Sequence, residues 1–285
     1  MKEDDFLFYK YRPITNHTLD SLEKQELYFS YPTEFNDPFD CRYDVYWRGT
    51  KEEWHEFLYK YHSKNMLIND STIKTWIKEG KLKKKGKELL LLPGKNVLTN
   101  NINNIYPKIC CFTKENNNIL MWSHYANQHK GICLCFKTKL NMDAFYLRLK
   151  SEDAHLIPVK YKDEMPQKVN LLTNKDPHNT AAFLFTKHTS WGYEKEYRTL
   201  IWPSKSNNNK FEIFEKEALN GIIFGIKTAY EDMVKVYNII DKNYHDNGLK
   251  INFYKASMIK GKYEINIKPI YDFDKFLKNY DSKFK

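Results

Sequence analysis

The segment from residue 191 to residue 202, WGYEKEYRTLIW, alternates aromatic and charged side chains before it becomes apolar, which indicates a β-strand. In a strand, Glu194, Glu196 and Arg198 share one face. Like charges so close together repel, so two carboxylates on one face need a cation between them or a site that uses them. Either Arg198 neutralises Glu196 on a solvated sheet face, or the glutamates belong to a functional site.

The composition indicates a folded protein that needs no membrane. The chain has 285 residues, of which 41% are hydrophobic and 16% aromatic, enough for a large core. It has no run of about 18 apolar residues, and its N-terminus lacks the regions of a signal peptide, so a cytoplasmic location is expected. The five cysteines include the pairs Cys110 and Cys111, and Cys133 and Cys135, in apolar runs that favour buried reduced thiols.

The order of local patterns predicts alternating strands and helices. Strands are expected at residues 6–12, 26–31, 109–113 and 131–137, and helices at residues 19–24 and 118–126. Near the C-terminus, a strand at 221–225, a helix at 229–244 and a strand at 249–256 resemble a parallel crossover unit. Gly225 stands alone, without the glycine pattern of a dinucleotide-binding loop.

Residues 50–105 differ from the rest of the chain because they are polar and look helical. We therefore predict an α+β fold, with a mixed and largely antiparallel sheet in a single domain over residues 1–285 and a lysine-rich helical insertion at 50–105. Pro93-Gly94 and the asparagine-rich residues 100–104 are expected to interrupt its helices.

Lysines cluster in this insertion, which carries most of the positive charge of the first half of the chain. The formal net charge is +10, and residues 60–108 hold 11 lysines against three acidic residues. Such a cluster can bind the phosphates of a nucleic acid, or an acidic protein partner, or it can be the solvated face of a helix. The candidate nucleic-acid-binding residues are Lys81, Lys83, Lys84, Lys85 and Lys87.

The motif MWSHYANQHKG places His124 and Tyr125 on a helix just before a strand. Imidazole can donate or accept a hydrogen bond near neutral pH, so His124 is either a ligand-facing residue or a capped core histidine. A metal site would combine His124 or His129 with the Cys-x-Cys pair, but no second pair supports it, and no metal is expected. Motifs for a nucleophilic serine or cysteine, a zinc protease and a phosphate-binding loop are absent.

Several of these motifs resemble the hallmarks of a large bacterial family of unknown function. They are YKYR at 9–12, LYFS at 27–30 with FNDPFD at 35–40, CFT at 111–113, WSHYA at 122–126, EKEYR at 194–198 and IIFG at 222–225. The resemblance implies a place in variable bacterial gene neighbourhoods of the kind that hold anti-phage systems.

The order of polar residues is also similar to that of the ADP-ribosyltransferase superfamily, whose site is built on three strands. The first strand carries Arg or His, the second Ser or Tyr, and a later one Glu, often as Glu-x-Glu. Arg12, Tyr28 or Ser30, and Glu196 occur in that order, although YFS replaces the usual serine-rich strand. The resemblance implies an ADP-ribosyltransferase-like core that uses NAD as its substrate.

In this reading, Glu196 stabilises the positive charge that develops on the ribose when the nicotinamide bond breaks, and Glu194 activates an acceptor. Arg12 binds the pyrophosphate of NAD as a two-pronged donor, and Tyr28 packs on the nicotinamide. The remaining residues expected to line the cleft are Ser30, Asn36, Asp37, His124 and Tyr125. The alternatives are a nucleic-acid-binding or nuclease-like effector, and a sensor that binds a nucleotide without turning it over.

Overall fold

The computed structural model describes residues 6–42, 45–61, 70–92, 107–176, 179, 181–202 and 209–281. The strands are β1 (Leu7–Arg12), β2 (Glu26–Tyr28), β3 (Val45–Tyr46), β4 (Arg48–Thr50), β5 (Leu82–Lys85), β6 (Glu88–Leu91), β7 (Lys108–Thr113), β8 (Ile132–Lys137), β9 (Lys139–Asn141), β10 (Ala144–Arg148), β11 (Asp153–Pro158), β12 (Lys160–Lys162), β13 (Val169–Asn170), β14 (Thr186–His188), β15 (Glu196–Ile201), β16 (Phe211–Ile213), β17 (Leu219–Phe224), β18 (Asn252–Met258) and β19 (Ile265–Ile270). The α-helices are α1 (Asn16–Lys24), α2 (Lys51–Tyr61), α3 (Asp70–Lys78), α4 (Ile119–Tyr125), α5 (Tyr230–Asn243) and α6 (Phe273–Asp281). None of these helices is long and apolar enough to cross a membrane.

The chain divides into two compact units. The first comprises residues 1–34, 107–159 and 189–285, and the second comprises residues 35–106 and 160–188. A compact unit is not by itself a domain that folds alone, so the single domain over 1–285 stays a prediction.

The first unit contains a ten-stranded sheet, with the strand order β19-β18-β17-β8-β1-β7-β15-β11-β10-β9. Neighbouring strands are antiparallel except β17 and β18, which run parallel and are joined through α5. This mixed, mostly antiparallel sheet with helices confirms the predicted α+β class, and the predicted crossover unit is also confirmed.

The central strand β1 alternates its side chains between two buried layers. Phe8 packs with the core that contains Phe112 and Phe136, whereas Tyr9 and Tyr11 pack with a second cluster around α4. Period two also separates neighbours on β7, where Cys110 belongs to the first layer. We call the side of the sheet that carries Phe8 and Cys110 the Phe8 face, and the opposite side the Tyr9 face.

The helix α4 lies on the Tyr9 face and is defined by local sequence signals. The side chain of Asn118 caps it by accepting hydrogen bonds from the backbone N–H groups of Leu120 (2.9 Å) and Met121 (3.1 Å). Trp122 is fully buried and meets the Tyr11 ring edge to face, with centroids 5.0 Å apart. The predicted helix at 118–126 is therefore confirmed within one residue at each end.

The strands β1 and β7 pair at only one end. Tyr9 is opposite Thr113, but further along β7 the backbone N–H and C=O of Ile109 bond to Ser30 instead of to β1. Ser30 thus pairs with β7 at a position where β1 no longer does. The strands β1 and β7 diverge towards Arg12.

Two predictions about strand pattern need correction. Residues 189–194 form a 3-10 helix and Lys195 has a left-handed φ of +42°, so β15 begins only at Glu196. The left-handed corner interrupts the period of two that the charge alternation suggested. The second predicted strand, at 26–31, ends at Tyr28 and leaves Ser30 in an isolated bridge.

The second unit contains α2, α3 and a three-stranded sheet of order β4-β6-β5 around Trp54, Leu58, Ile73 and Trp76. Helices were predicted for this region, but β5 and β6 form a hairpin that includes the lysine cluster. Gly86 turns the hairpin with a φ of +63° that a helix does not allow. The predicted interruptions at 93–94 and 100–104 lie outside the described residues.

Candidate functional site

Tyr125 and Glu194 form the polar contact that brings the two main motifs together. Tyr125 is the last residue of α4, and its hydroxyl donates a 2.6 Å hydrogen bond to Oε1 of Glu194 at the end of the 3-10 helix. Glu194 is only 3% exposed. A charged acceptor makes such a short O–H···O⁻ bond strong, and burial of the carboxylate makes it costly to lose.

Glu196 and Arg198 form a buried ion pair two residues further along. Arg198 donates from Nε to Oε1 (2.7 Å) and from a terminal nitrogen to Oε2 (3.2 Å), a two-pronged contact. The two residues are 5% and 0% exposed. Their shared face was predicted correctly, but the solvated face of the simpler interpretation was wrong, because this face lies in the core.

The thiol of Cys111 completes this pair. Cys111 is opposite Arg198 on β7, and its pKa is raised well above the usual value by burial and by the Glu196 carboxylate. The backbone carbonyl of Cys111 accepts a 2.9 Å hydrogen bond from the Lys10 ammonium. A thiol held protonated is a poor nucleophile, so the half-buried Cys111 supports Glu196 rather than acting as a nucleophile.

The left-handed Lys195 turns the chain between the two glutamates. Its ammonium contacts Oε1 of Glu115, and the backbone carbonyl of Glu115 accepts a 2.9 Å hydrogen bond from the Tyr11 hydroxyl. A left-handed lysine is uncommon, and such strained residues occur often at functional sites.

A row of four rings lies beside the buried carboxylate of Glu194, and we call it the aromatic strip. Its members are Trp191, Tyr193, His124 and Tyr125, with centroid separations of 6.1, 6.4 and 6.3 Å between successive rings. His124 is exposed and the other three are half-buried. The strip therefore offers ring faces and edges to solvent next to Glu194.

His129, which was considered only as a metal ligand, has a local structural role. Its Nε2 lies 3.1 Å from the Ser123 hydroxyl and its ring stacks on Trp122, while its buried Nδ1 has no hydrogen-bond partner among the residues that the structure describes. Burial and the nearby Lys227 ammonium lower its pKa. No group of three or more histidine, cysteine or acidic residues is placed to hold a metal within the described ranges.

Arg12 and Tyr28 come together, but on the other side of the sheet from Glu196. Arg12 is opposite Ile132 of β8, which belongs to the Phe8 core, so Arg12 lies on the Phe8 face, where Cys110 and Tyr28 interact with it electrostatically. Glu196 contacts Cys111, the next residue of β7, on the Tyr9 face. The single cleft expected for Arg12 and Glu196 is therefore not formed, because the two side chains lie on opposite faces of the sheet.

The other predicted binding residues have different surroundings. The Tyr28 hydroxyl donates to Oε2 of Glu34 (3.0 Å), and the Lys210 ammonium donates to that hydroxyl (3.2 Å). Ser30 contacts Ile109 through backbone bonds.

Asn36 and Asp37 belong to the second unit. There Oδ1 of Asp37 accepts a 2.9 Å hydrogen bond from the backbone N–H of Phe39.

The predicted nucleic-acid-binding lysines lie on the hairpin of the second unit. Lys81 contacts Glu79 at 2.8 Å, whereas Lys83, Lys84, Lys85 and Lys87 are exposed and make no ion pair with any described residue. Since β5 is an edge strand of its sheet, lysines there also prevent pairing with another chain.

One family of known proteins matches the part of the chain that contains this site. A family model described as "Protein of unknown function (DUF2971)" matches residues 121–199. No curated protein and no solved structure matches the chain. The predicted resemblance to an uncharacterised family is thereby confirmed, and that to ADP-ribosyltransferases stays a prediction. Over the stretch that runs from α4 to β15 and includes both Tyr125 and Glu194, the chain matches the DUF2971 family, whose function is unknown.

Proposed function

We propose that this protein is an NAD-dependent enzyme of the ADP-ribosyltransferase type, in which Glu194 is the catalytic carboxylate. The observation that carries the proposal is the 2.6 Å hydrogen bond from Tyr125 to Glu194, because it holds a buried carboxylate beside the aromatic strip. Carboxylates held in this way, next to surfaces that bind flat rings, suit the chemistry of a glycosidic bond between ribose and nicotinamide.

In that reaction the bond between ribose C1 and the nicotinamide nitrogen breaks, and its electron pair leaves with nicotinamide. The ribose becomes positively charged before an acceptor attacks C1. Glu194, held by Tyr125, stabilises that charge with little reorganisation. Glu196 was predicted for this role, but its two oxygens are engaged by Arg198, so we assign it to positioning β15.

The aromatic strip supplies a place for the nicotinamide ring. Offset or edge-to-face contacts between rings favour centroid separations of about 4.5–7 Å, and His124 and Tyr193 present exposed or half-exposed rings to such a partner. His124 can also donate a hydrogen bond to the carboxamide of nicotinamide or accept a proton from an acceptor group.

The test is nicotinamide release from NAD by the purified full chain, with RNA, DNA and cell lysate offered in turn as acceptors. We expect release by the wild type, loss of at least about 100-fold in Glu194→Gln, and no change in Asp153→Asn, which removes an exposed carboxylate paired with Lys139. Release that is equal in the wild type and Glu194→Gln would contradict the role of Glu194. If the wild type releases no nicotinamide with any acceptor, the proposed NAD chemistry is contradicted.

A second candidate function is nucleic-acid binding by the hairpin of the second unit, favoured by its four exposed lysines without ion pairs among described residues. Such a surface binds phosphates regardless of sequence, and its affinity falls steeply with salt. The variant with Lys83, Lys84, Lys85 and Lys87 changed to Gln is expected to lose salt-sensitive retardation of nucleic acid in a gel. Retardation that survives in this variant would contradict the assignment. An effector that joins both activities would suit a toxin or an anti-phage defence system.

A further inference from the structure

Both ends of α4 hold the residues that precede β15. At the end of the helix, the Tyr125 hydroxyl donates to the Glu194 carboxylate. At its start, Nδ2 of the capping residue Asn118 donates a 3.3 Å hydrogen bond to the backbone carbonyl of Tyr193. Tyr193 directly precedes Glu194, so two consecutive residues are held from opposite ends of one helix.

The next residue, Lys195, is held by the segment that leads into α4. Its ammonium contacts Glu115, and the backbone N–H of Glu115 donates a 2.9 Å hydrogen bond to the Thr113 hydroxyl at the end of β7. The Lys195 side chain is exposed, and ion pairs at the surface contribute little to stability. The hydrogen bond from Asn118 is different, because it acts on the backbone itself, directly before Glu194.

The two polar atoms of the Asn118 side chain have different partners. Oδ1 accepts the hydrogen bonds from the backbone N–H groups of Leu120 and Met121 that cap α4, whereas Nδ2 donates to Tyr193. Asparagine, aspartate and serine are all good caps, but of these only asparagine also has an amide hydrogen to donate. The cap alone therefore does not require an asparagine at this position, whereas the contact with Tyr193 does.

We propose that Asn118 is a positioning residue for Glu194, which it places through the backbone carbonyl of Tyr193. This inference rests on the proposed function, because it assigns Asn118 to the reaction in which Glu194 takes part. A carboxylate stabilises charge in a transition state best when it is held in place beforehand, and a misplacement of about 1 Å can cost about 100-fold in rate. Tyr125 holds the carboxylate and Asn118 holds the backbone that carries it, so Glu194 is restrained at both ends of its side chain.

The test is nicotinamide release from NAD by the purified full chain with Asn118→Asp, which keeps the capping oxygen and replaces the amide donor by an oxygen. We expect kcat to fall about 10-fold to 100-fold, because the backbone before Glu194 is no longer held. Asn118→Ser keeps a cap, removes the amide and adds no charge, so it should lose turnover to a similar extent and decides the matter if Asn118→Asp does not fold. The matched control is Asn243→Asp, since Nδ2 of Asn243 also donates to a backbone carbonyl, that of Ile239 in α5. It should keep turnover within about twofold of the wild type.

Amide hydrogen exchange, followed by mass spectrometry, separates positioning from a role in helix formation. Both Asn118 variants should exchange about tenfold faster than the wild type over residues 190–197 and like the wild type over α4. Unchanged turnover, unchanged exchange over residues 190–197, or faster exchange over α4 as well would overturn the proposal.

The same measurement distinguishes this inference from the proposed function. If the wild type releases no nicotinamide, the role of Asn118 in turnover is overturned together with the NAD chemistry. If the wild type is active and the Asn118 variants are equally active, only the positioning role is overturned. Exchange over residues 190–197 needs no substrate, so it shows in either case whether Asn118 holds the backbone before Glu194.

Discussion

The hydroxyl of Tyr125 donates to the carboxylate of Glu194 across 69 positions of sequence, and joins the end of α4 to the corner that precedes β15. Neither residue belongs to a regular pairing between strands. The hydrogen bond therefore links the ends of α4 and of the 3-10 helix, and its energy can be measured apart from the stability of the sheet.

The first prediction concerns this hydrogen bond. Tyr125→Phe keeps the ring and removes the donor, so NAD turnover should fall about 10-fold to 100-fold while the fold is retained. In a double-mutant cycle with Glu194→Gln, the coupling energy should be about 1–3 kcal/mol, as for groups in direct contact. Additive losses would show that the two side chains act independently. Tyr59→Phe, which alters an exposed tyrosine of α2, serves as the control.

The second prediction concerns the Glu196–Arg198 pair. Glu196→Gln removes the carboxylate charge that pairs with the buried guanidinium of Arg198, so the free energy of unfolding should fall by about 3–5 kcal/mol. Urea denaturation measures this loss. Asp153→Asn breaks an exposed pair with Lys139 and should cost less than about 1 kcal/mol. A Glu196→Gln protein as stable as the wild type would show that this carboxylate is not structural.

The third prediction is a pH dependence due to Lys255. Its ammonium donates to the carbonyls of Gly225 and Ile226, and burial lowers its pKa from 10.5 to about 8. The unfolded chain then binds more protons than the folded chain between these values, so Lys255 makes stability rise as pH increases from about 8 towards 10.5. As the pH falls through 8, this contribution is lost.

The measurement compares the free energy of unfolding at pH 7.5 and pH 10 in the wild type and in Lys255→Met. Other groups titrate in the same range, and the difference between the two proteins isolates Lys255. We expect a steeper rise with pH in the wild type than in Lys255→Met. Lys262→Met, at an exposed position, should follow the wild type. Parallel curves for the wild type and Lys255→Met would contradict the role of burial.

The fourth prediction concerns Gly131, which follows a turn of three left-handed residues, Asn127, Gln128 and His129. A Cβ atom at position 131 would lie 2.2 Å from the carbonyl oxygen of Arg12, so Gly131→Ala must displace β1 or β8. We expect a loss of stability of more than about 3 kcal/mol, or no soluble protein.

The matched control is Gly86→Ala, where φ is positive but a Cβ meets nothing within 4 Å. That substitution should lower the free energy of unfolding by only about 1–2 kcal/mol, the cost of a left-handed backbone at a residue with a Cβ. Thermal unfolding compares the two variants. Equal losses would mean that the contact with Arg12 relaxes easily.

Local features of the fold could be predicted from the sequence because short-range physics determines them. The cap at Asn118, the alternation in β1 and the crossover through α5 each depend on residues within one element or its neighbours. The faces of Arg12 and Glu196 could not be predicted in this way. Their relation depends on the pairing of Tyr9 with Thr113 and of Thr113 with Glu196, which joins segments about 100 residues apart.

In the candidate site, too, some features could be predicted from local sequence and others could not. The shared face of Glu196 and Arg198 follows from period two, but the burial of that face does not, because two charges on a strand look solvated. Nothing in the sequence beyond the order of the motifs indicated the hydrogen bond between Tyr125 and Glu194. The hairpin at 82–91 was missed because its many lysines also favour helices, and only Gly86 indicated a turn.

The left-handed corner at Lys195 has a consequence for how this stretch of chain can vary. The corner aims Glu194 at α4, and the residue after it sets which side of the sheet every side chain of β15 occupies. Inserting or deleting one residue here would redirect Glu194 and move every side chain of β15 to the opposite face of the sheet. The length of EKEYR is therefore constrained more tightly than the identity of the lysine between its two glutamates.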